Sequence, residues 1–305
     1  MHVIEELASY RPERETLLTV GVFDGVHLGH QHLINRLIQQ ASSRKLLSGV
    51  VTFNSHPEVV LSSRDRLPRL TTVGERTTLL KGLGVELVVP LTFSIELAAL
   101  SALEFVGLLR EHLKMRGLVI GPDFALGRGR EGDAARLQTL GQELGFTVEV
   151  VEPLLLEGTQ VSSTAIREAL SRGDMKTASR LLGHHFILSG SVVGGKERGH
   201  NLGYPTANIE VDADHALPAD GVYATLGHIG DAVYKSVTNI GTRPTFGEGE
   251  RTIEVFLFDF SGDIYGQQLS LELVERLRGE IKFAGPDELT AQIEKDVEQA
   301  KAVLG

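Results

Sequence analysis

Short apolar runs alternate with amphipathic stretches through the first half of the chain. Candidate strands are the runs 17–20, 48–53, 85–91, 117–121 and 147–151. Between them, apolar residues recur at helical spacing in the stretches 31–42, 73–81, 101–114 and 133–144. This order predicts an α/β domain. Its sheet is parallel and doubly wound, with ligands bound beyond the carboxyl ends of the strands.

The pattern changes after two further helical stretches, 163–171 and 174–182. Short alternating runs follow, rich in glycine, at 186–193, 221–229, 232–240, 252–260 and 268–273. Many short strands separated by turns predict a small antiparallel β-barrel. An apolar stripe over 286–304 predicts a helix that closes the chain. We therefore expect two domains, 1–184 and 185–305.

Composition narrows the function classes. The 305 residues carry a net charge of −10, almost all of it after residue 184, which disfavours a nucleic-acid partner there. The chain has no cysteine, which excludes disulfides, thiolate metal sites and cysteine nucleophiles. The first residues lack the pattern of a signal peptide, and no apolar run reaches membrane-spanning length. We expect a cytoplasmic enzyme without a membrane partner.

The string Gly21-Val-Phe-Asp-Gly-Val-His-Leu-Gly-His30 places two histidines three residues apart where a strand turns into a helix. Gly25 and Gly29 allow close approach of a ligand, and a helix N-terminus attracts anions. His27 and His30 add imidazole donors. A zinc pair would need a third ligand, and His32 points off their face. A pair of solvated histidines is the other alternative. The whole string favours a phosphate site.

A second candidate phosphate site lies at Val161-Ser-Ser-Thr-Ala-Ile-Arg167. Ser162, Ser163 and Thr164 open a predicted helix, and Arg167 follows Thr164 by about one turn. Backbone N–H groups, hydroxyls and a guanidinium could thus meet one phosphate group. The alternative is simple capping of the helix by Ser162 or Ser163, with Arg167 in solvent.

The barrel half carries its own candidates. Thr206 and Asn208, in the string Pro205-Thr-Ala-Asn208, offer neutral oxygens that suit Mg²⁺ when substrate phosphates and water complete the shell. The alternative is an ordinary hairpin turn. Glu254 falls in an apolar strand, where a carboxylate is costly unless it is used or paired. The alternative is a strand residue that faces outward.

These strings resemble the bifunctional bacterial riboflavin kinase/FAD synthetase (FMN adenylyltransferase) family, from about Leu17 to Asp296. Further matches include Thr52-Phe-x-x-His-Pro57, Leu70-Thr71 to Glu75-Arg76 and the string from Asn239 to Gly247. The resemblance implies an α/β domain of the nucleotidylyltransferase type, followed by a Greek-key barrel with a C-terminal helix. It also implies catalytic roles for His27, His30 and Glu254. The nucleotide- or flavin-binding positions that it implies are Phe23, Asp24, Gly25, Gly29, His56, Asp123, Phe124, Ser162, Ser163, Thr164, Arg167, Lys196, Arg198, Gly199, Pro205, Thr206, Asn208 and Arg278.

The activity implied by this resemblance has two steps. The barrel phosphorylates the ribityl 5′-hydroxyl of riboflavin with ATP and Mg²⁺, and Glu254 accepts the hydroxyl proton. The N-terminal domain then adenylylates FMN to FAD and releases pyrophosphate. The alternative is a single adenylyltransferase of the pantetheine-phosphate type with a flavin-binding regulatory barrel. An RNA-binding protein is disfavoured by the acidic second half and by the lack of a basic aromatic patch.

Overall fold

The computed structural model describes residues 2–55, 60–61, 67–194, 204–242 and 251–305 of the chain. The chain divides into two compact units, Met1–Ser163 and Thr164–Gly305. The predicted boundary at 184 lies one helix pair further along, and it stays a prediction. No helix in the described part of the chain is both long and apolar enough to cross a membrane.

The first unit alternates strands and helices as predicted. Its elements in chain order are α1 His2–Ser9, β1 Thr16–Val20, α2 Leu28–Ser43, β2 Leu47–Phe53, α3 Val73–Gly82, β3 Leu87–Leu91, α4 Ile95–Ala99, α5 Ala102–Leu113, β4 Met115–Ile120, β5 Ala125–Leu126, β6 Gly132–Asp133, α6 Ala134–Leu144, β7 Thr147–Val150, β8 Leu155–Leu156 and β9 Thr159–Gln160. Five parallel strands form one sheet in the order β3-β2-β1-β4-β7. Strand β1 therefore lies at its centre.

Both faces of this sheet are buried, which explains why its strands read as continuous apolar runs. Leu18 and Val20 of β1 join a cluster with residues of α1, α5 and α6. Leu17 joins a second cluster with Ile34 of α2 and Leu80 of α3. Successive side chains of a strand point to opposite faces, so helices cover both sides of the sheet. The predicted doubly wound fold is confirmed.

The second unit begins with two helices and continues as a barrel. Its elements are α7 Ser163–Arg172, which begins at the last residue of the first unit, α8 Met175–Leu182, β10 Phe186–Val193, β11 Ala207–Val211, β12 Gly221–Ile229, β13 Ala232–Thr242, β14 Arg251–Leu257, β15 Gln268–Arg278 and α9 Pro286–Leu304. The barrel closes in the order β10-β11-β14-β13-β12-β15, and every pairing between these strands is antiparallel.

Helix α9 covers part of the outer surface of the barrel. It contacts β12, β13 and β15, and its Ala300 is fully buried in a cluster with Ala224 and Phe258. The barrel interior holds alternate residues of each strand, such as Ile253 and Val255 of β14. Residues between them point outward, toward the face on which α9 lies. The predicted barrel with a C-terminal helix is confirmed.

Candidate active sites

The histidine string folds into a strained turn after β1. Phe23, Gly25 and Val26 have φ of 51°, 81° and 42°. Glycine adopts this left-handed region freely, whereas a β-branched valine rarely does. Phe23 and Val26, which are not glycine, each cost about 1–3 kcal/mol in this conformation, so the surrounding structure must hold the turn in place. The turn passes through a 3₁₀ segment, Asp24–Val26, directly into α2.

His27 and His30 lie face to face at the start of α2. Their ring centroids are 3.6 Å apart and the planes differ by 17°. His27 caps the helix, because its Nδ1 accepts a hydrogen bond from the backbone N–H of His30 at 3.3 Å. An accepting Nδ1 leaves the proton of the neutral ring on Nε2. The buried ring of Phe23 meets His30 edge-on, with centroids 5.2 Å apart.

His30 is held in its neutral form. Burial, followed by the adjacent His27 and Arg76, keeps the pKa of His30 well below its usual 6.5. Its Nδ1 is buried and makes no hydrogen bond to any residue that the structure describes. A buried polar atom without a partner is costly unless water, an ion or a ligand completes its hydrogen bonding. The pair is thus arranged to meet a polar ligand at the helix N-terminus.

The carboxylate of Asp24 anchors the histidine turn through hydrogen bonds to Leu70 and Thr71. Asp24 is 4 % exposed, and its Oδ1 accepts hydrogen bonds from the backbone N–H groups of Leu70 at 2.9 Å and Thr71 at 3.1 Å. The hydroxyl of Thr71 also donates to Oδ1, at 3.2 Å, and accepts from the N–H of Gly25 at 3.1 Å. These contacts give Asp24 a positioning role, in addition to the binding role implied by the resemblance.

The serine-rich segment approaches this turn closely. The hydroxyl of Ser163 donates to the backbone oxygen of Asp24 at 3.0 Å. A Cβ on Gly29 would lie 3.2 Å from the backbone oxygen of Val161, so a side chain there would crowd the segment that carries Ser162 and Ser163. Thr164 and Arg167 lie three residues apart on α7, in the second unit.

Asp123 and Phe124 follow the carboxyl end of β4, as the sequence predicts for ligand-binding residues. Phe124 is partly buried against the core of the first unit. Asp123 is exposed, and its backbone oxygen accepts a hydrogen bond from Arg130 at 2.9 Å. Four predicted site residues, His56, Lys196, Arg198 and Gly199, lie outside the described residues.

Glu254 lies on the outer face of the barrel, between the inward-facing Ile253 and Val255. Strand register places Asn208 and Asn239 directly opposite it, on β11 and β13. The outer face at this point forms the wall of a cavity, so an outward-facing glutamate does not sit in open solvent. Asn239 also lines this cavity, and the sequence analysis did not select it as a candidate, although it quoted the string that begins with it.

This cavity has a volume of about 620 Å³ and lies between the barrel and α9. Its apolar wall comes from both elements: Val222, Val237, Phe256, Leu289, Ile293 and Val297. Thr206, Asn239 and Glu254 supply polar groups. A mostly apolar cavity with a few polar groups suits a flat, largely apolar ligand with a polar chain.

Thr206 also lines a smaller cavity of about 480 Å³. Pro205, Thr206 and Ala207 line it together with residues 260–265, among them Asp263 and Tyr265. Thr206 therefore borders both cavities. This feature could not be predicted from the sequence, because the residues that line the smaller cavity come from β10, from β14 and the loop that follows it, and from the start of β11.

Arg278 lines the larger cavity, but its guanidinium is engaged within the protein. Its Nε donates to both carboxylate oxygens of Asp296, at 2.9 and 3.0 Å, and its Nη2 donates to Oδ2 at 2.7 Å. Nη1 donates to the backbone oxygen of Gly279 at 2.9 Å. Arg278 thus joins β15 to α9 beside the cavity.

The oxygen atoms near Thr206 fit a magnesium ion only in part. Thr206, Asn208 and the nearby Glu254 offer two neutral oxygens and one carboxylate. Among the described residues, no group of three or more His, Asp and Glu side chains could hold a metal ion. An ion here would need oxygens from substrate phosphates and water, which is the usual manner of Mg²⁺ binding in phosphoryl transfer.

Two family models match the chain. A FAD synthetase model covers residues 10–165, which is half of the sequence, and a riboflavin kinase model covers residues 182–304. The bifunctional riboflavin kinase/FMN adenylyltransferase of Escherichia coli K12 is 40% identical over 301 residues, 97% of this chain and 95% of that protein. The chain belongs to this family. The riboflavin kinase match shows that the barrel is a kinase domain, so the alternative of a regulatory barrel is not needed.

Other relatives agree along the whole length. The bifunctional riboflavin kinase/FMN adenylyltransferase of Bacillus subtilis is 36% identical over 98% of this chain and 94% of that protein. A crystal structure from Streptococcus pneumoniae, described as a macrolide-efflux protein, is 32% identical and superposes with a TM-score of 0.89. It covers 99% of this chain and 97% of that one. Both matched domains of this chain therefore lie within the length over which these two proteins are similar to it.

Proposed function

We propose that the chain makes FMN from riboflavin and then FAD from FMN, with one active site in each domain. The family supplies the two activities, riboflavin kinase and FMN adenylyltransferase. The observation that supports their division is that each domain has its own polar site. The stacked His27 and His30 lie in the first, and Glu254 lies beside a cavity in the second. The boundary near 184 and a cytoplasmic location stay predictions.

In the first domain, an FMN phosphate oxygen attacks the α-phosphorus of ATP, and pyrophosphate leaves. The acceptor is already an anion, so no base is required. Catalysis needs alignment and positive potential around the spreading charge. We infer that His27 and His30 donate ring N–H groups to the phosphates, together with backbone N–H groups at the start of α2. Ser162, Ser163, Thr164 and Arg167 stay predicted triphosphate ligands, and Asp123 and Phe124 predicted flavin neighbours.

In the barrel, the riboflavin 5′-oxygen forms a bond to the γ-phosphorus of ATP while the bond to ADP breaks. Glu254 takes the hydroxyl proton. We infer that the larger cavity holds the flavin ring, because its wall is mostly apolar, and that the smaller one holds the nucleotide. Thr206 borders both cavities, so the transferred phosphoryl group would pass beside it. Thr206 and Asn208 would hold Mg²⁺, which supplies positive charge to the phosphates.

Two variants separate the activities. With riboflavin, ATP and Mg²⁺, the parent should form FMN and then FAD, resolved by chromatography over time. His30→Ala should slow FAD formation about a hundredfold or more while FMN accumulates. Glu254→Gln should slow FMN formation about a hundredfold or more, yet still convert supplied FMN to FAD.

Matched controls lie close to each changed residue. His32 is an exposed histidine on the same helix as His30, and Glu210 is an exposed glutamate on the strand next to Glu254. His32→Ala and Glu210→Gln should keep both rates. Equal loss of both activities in His30→Ala would contradict the division between domains. A parent that forms neither product would refute the function itself.

A further inference from the structure

The side chains of Thr52 and Thr71 hold the strained histidine turn through hydrogen bonds on its two sides. On one side, the hydroxyl of Thr52, at the end of β2, donates to the backbone oxygen of Val22 at 2.9 Å. On the other side, Thr71 binds both the N–H of Gly25 and the carboxylate of Asp24. These two contacts flank the positive-φ residues described above. Their relative position therefore sets the path of the backbone that leads into His27 and His30.

One buried side chain contacts both holding residues. Arg76, on the first turn of α3, is 1 % exposed. Its Nη1 donates to Thr52 Oγ1 at 3.0 Å and to the backbone oxygen of Phe53 at 2.8 Å. Its Nη2 lies 3.5 Å from the backbone oxygen of Thr71. The guanidinium thus spans from the end of β2 to the loop before α3.

This arginine has no ion-pair partner among the residues that the structure describes. Its Nε is also buried without a hydrogen bond to them. Burial lowers the pKa of Arg76, although Asp24 nearby favours its charged form. A buried charge that is hydrogen-bonded but has no ion-pair partner is still costly, and an apolar residue of similar size is often at least as stabilising. The energetic cost of burying Arg76, together with its position beside the histidine turn, indicates a role at the candidate active site of the first domain.

We propose that Arg76 is a positioning residue for FAD synthesis: its guanidinium sets the distance between Thr52 and Thr71 and thereby fixes the turn that presents His27 and His30 to the nucleotide. The inference rests on the proposed function of that turn. The planar fork of arginine can reach two separate acceptors, whereas the single ammonium of lysine cannot reproduce both contacts. Charge and geometry can therefore be separated by substitution.

The charge of Arg76 has a separate, measurable effect on His30. Among the described residues, the titratable groups that act on His30 are the stacked His27 and the buried Arg76, and Asp24 acts in turn on Arg76. Removal of the positive charge should raise the pKa of His30, because protonation of its ring then meets less repulsion. Arg76→Lys keeps the charge and should leave that pKa low, whereas Arg76→Met should raise it.

The experiment compares Arg76→Lys and Arg76→Met with the matched pair Thr71→Ser and Thr71→Val in the full-length chain. FAD formation is measured from supplied FMN and ATP, His30 is titrated by NMR, and FMN formation from riboflavin serves as the internal control. We expect Arg76→Lys, Arg76→Met and Thr71→Val to lower kcat for FAD about tenfold or more, with smaller changes in KM. Thr71→Ser keeps the hydroxyl and should stay within about twofold of the parent.

Several results would overturn the inference. Arg76→Lys at the parent rate would show that charge, and not the two-sided contact, is what matters. Thr71→Val at the parent rate would remove the second holding contact from the mechanism. Equal loss of FMN formation in the arginine variants would show general damage to the fold. A parent that makes no FAD would refute the proposed function instead, which is a distinguishable outcome.

Discussion

The ion pair between Arg278 and Asp296 should govern how firmly helix α9 is held over the larger cavity. Asp296 is 2 % exposed, and it accepts three contacts from Arg278 and one from Gln292 Nε2 at 2.9 Å. Asp296→Ala removes all four. The substitution leaves the guanidinium of Arg278 beside an apolar wall with Gly279 as its remaining acceptor.

The magnitude follows from burial. Removal of one partner from a buried pair costs about 3–5 kcal/mol, because the other charge is left uncompensated. The side chain of Arg278 is 17% exposed, so water recovers part of the loss. We expect a loss of about 3 kcal/mol in the free energy of unfolding of the second unit. For a unit of this size, the unfolding midpoint should fall by about 10 °C.

Calorimetry measures the loss of stability, and a riboflavin kinase assay measures the change in KM for riboflavin. Glu298→Ala removes an exposed carboxylate from the same helix and should leave both unchanged. Leu289, Ile293 and Val297 form the α9 side of the cavity, so a loosened helix should raise KM for riboflavin. FAD formation from supplied FMN should keep its rate, because that site lies in the other domain.

A double variant tests whether the lost stability comes from the uncompensated charge of Arg278. Replacement of both charges, Arg278→Met with Asp296→Leu, leaves no buried charge and should recover most of the lost stability. If Asp296→Ala unfolds at the parent temperature, the pair does not hold the helix. If the double variant is as unstable as the sum of its single variants, the two side chains are not energetically coupled, and the explanation fails.

Two further predictions concern the second unit. A fragment of residues 164–305 should fold and form FMN. The fragment 185–305 should be less stable, because it lacks α8, whose Leu182 is buried. Circular dichroism compares the stability of the two fragments, and a riboflavin kinase assay compares their activity. Asp174→Ala should cost about 0.5–2 kcal/mol, because Asp174 caps α8 through the N–H of Thr177 at 3.0 Å. That hydrogen bond lowers the pKa of Asp174 below its usual 3.8. The contribution of Asp174 to the free energy of unfolding is therefore present above pH 3.8 and is lost as the pH falls through the lower pKa of the folded state. Asp174→Ala should thus cost more stability at pH 7 than at pH 2, which unfolding at both pH values checks.

The sequence predicted most elements because their signals are local. Strand β2 and helix α3 differ from the predicted runs by one residue at one end. Strand β11, Ala207–Val211, was missed, because the run is short and its Asn208 and Glu210 are residue types that strands disfavour. Only its pairing with β10 and β14 makes it a strand.

The candidate site residues, like the elements of the fold, could be predicted only where their signals are local in the sequence. His27 and His30 could be found because the turn, the glycines and the helix start are adjacent in sequence. Arg76 falls in a string that matched the family, but its burial and that of Asp296 could not be predicted, because a charged residue on an amphipathic helix is usually solvated and their burial depends on distant partners. The two-sided role of Arg76 appears only when the end of β2 and the loop before α3 are brought together.

Closure of the barrel sets an order for synthesis. Strand β10 pairs along its length with β15, so Phe186 lies opposite Leu273, and the seam joins the first and last strands. As the ribosome adds residues from the N-terminus, the parallel sheet has all its strands once β7 has emerged, whereas β10 waits with an unpaired edge until β15 is made. Pairing across so long a span is slow. The nascent chain should therefore acquire its FAD synthetase domain first, and the interval before β15 emerges is when the barrel half is most open to aggregation.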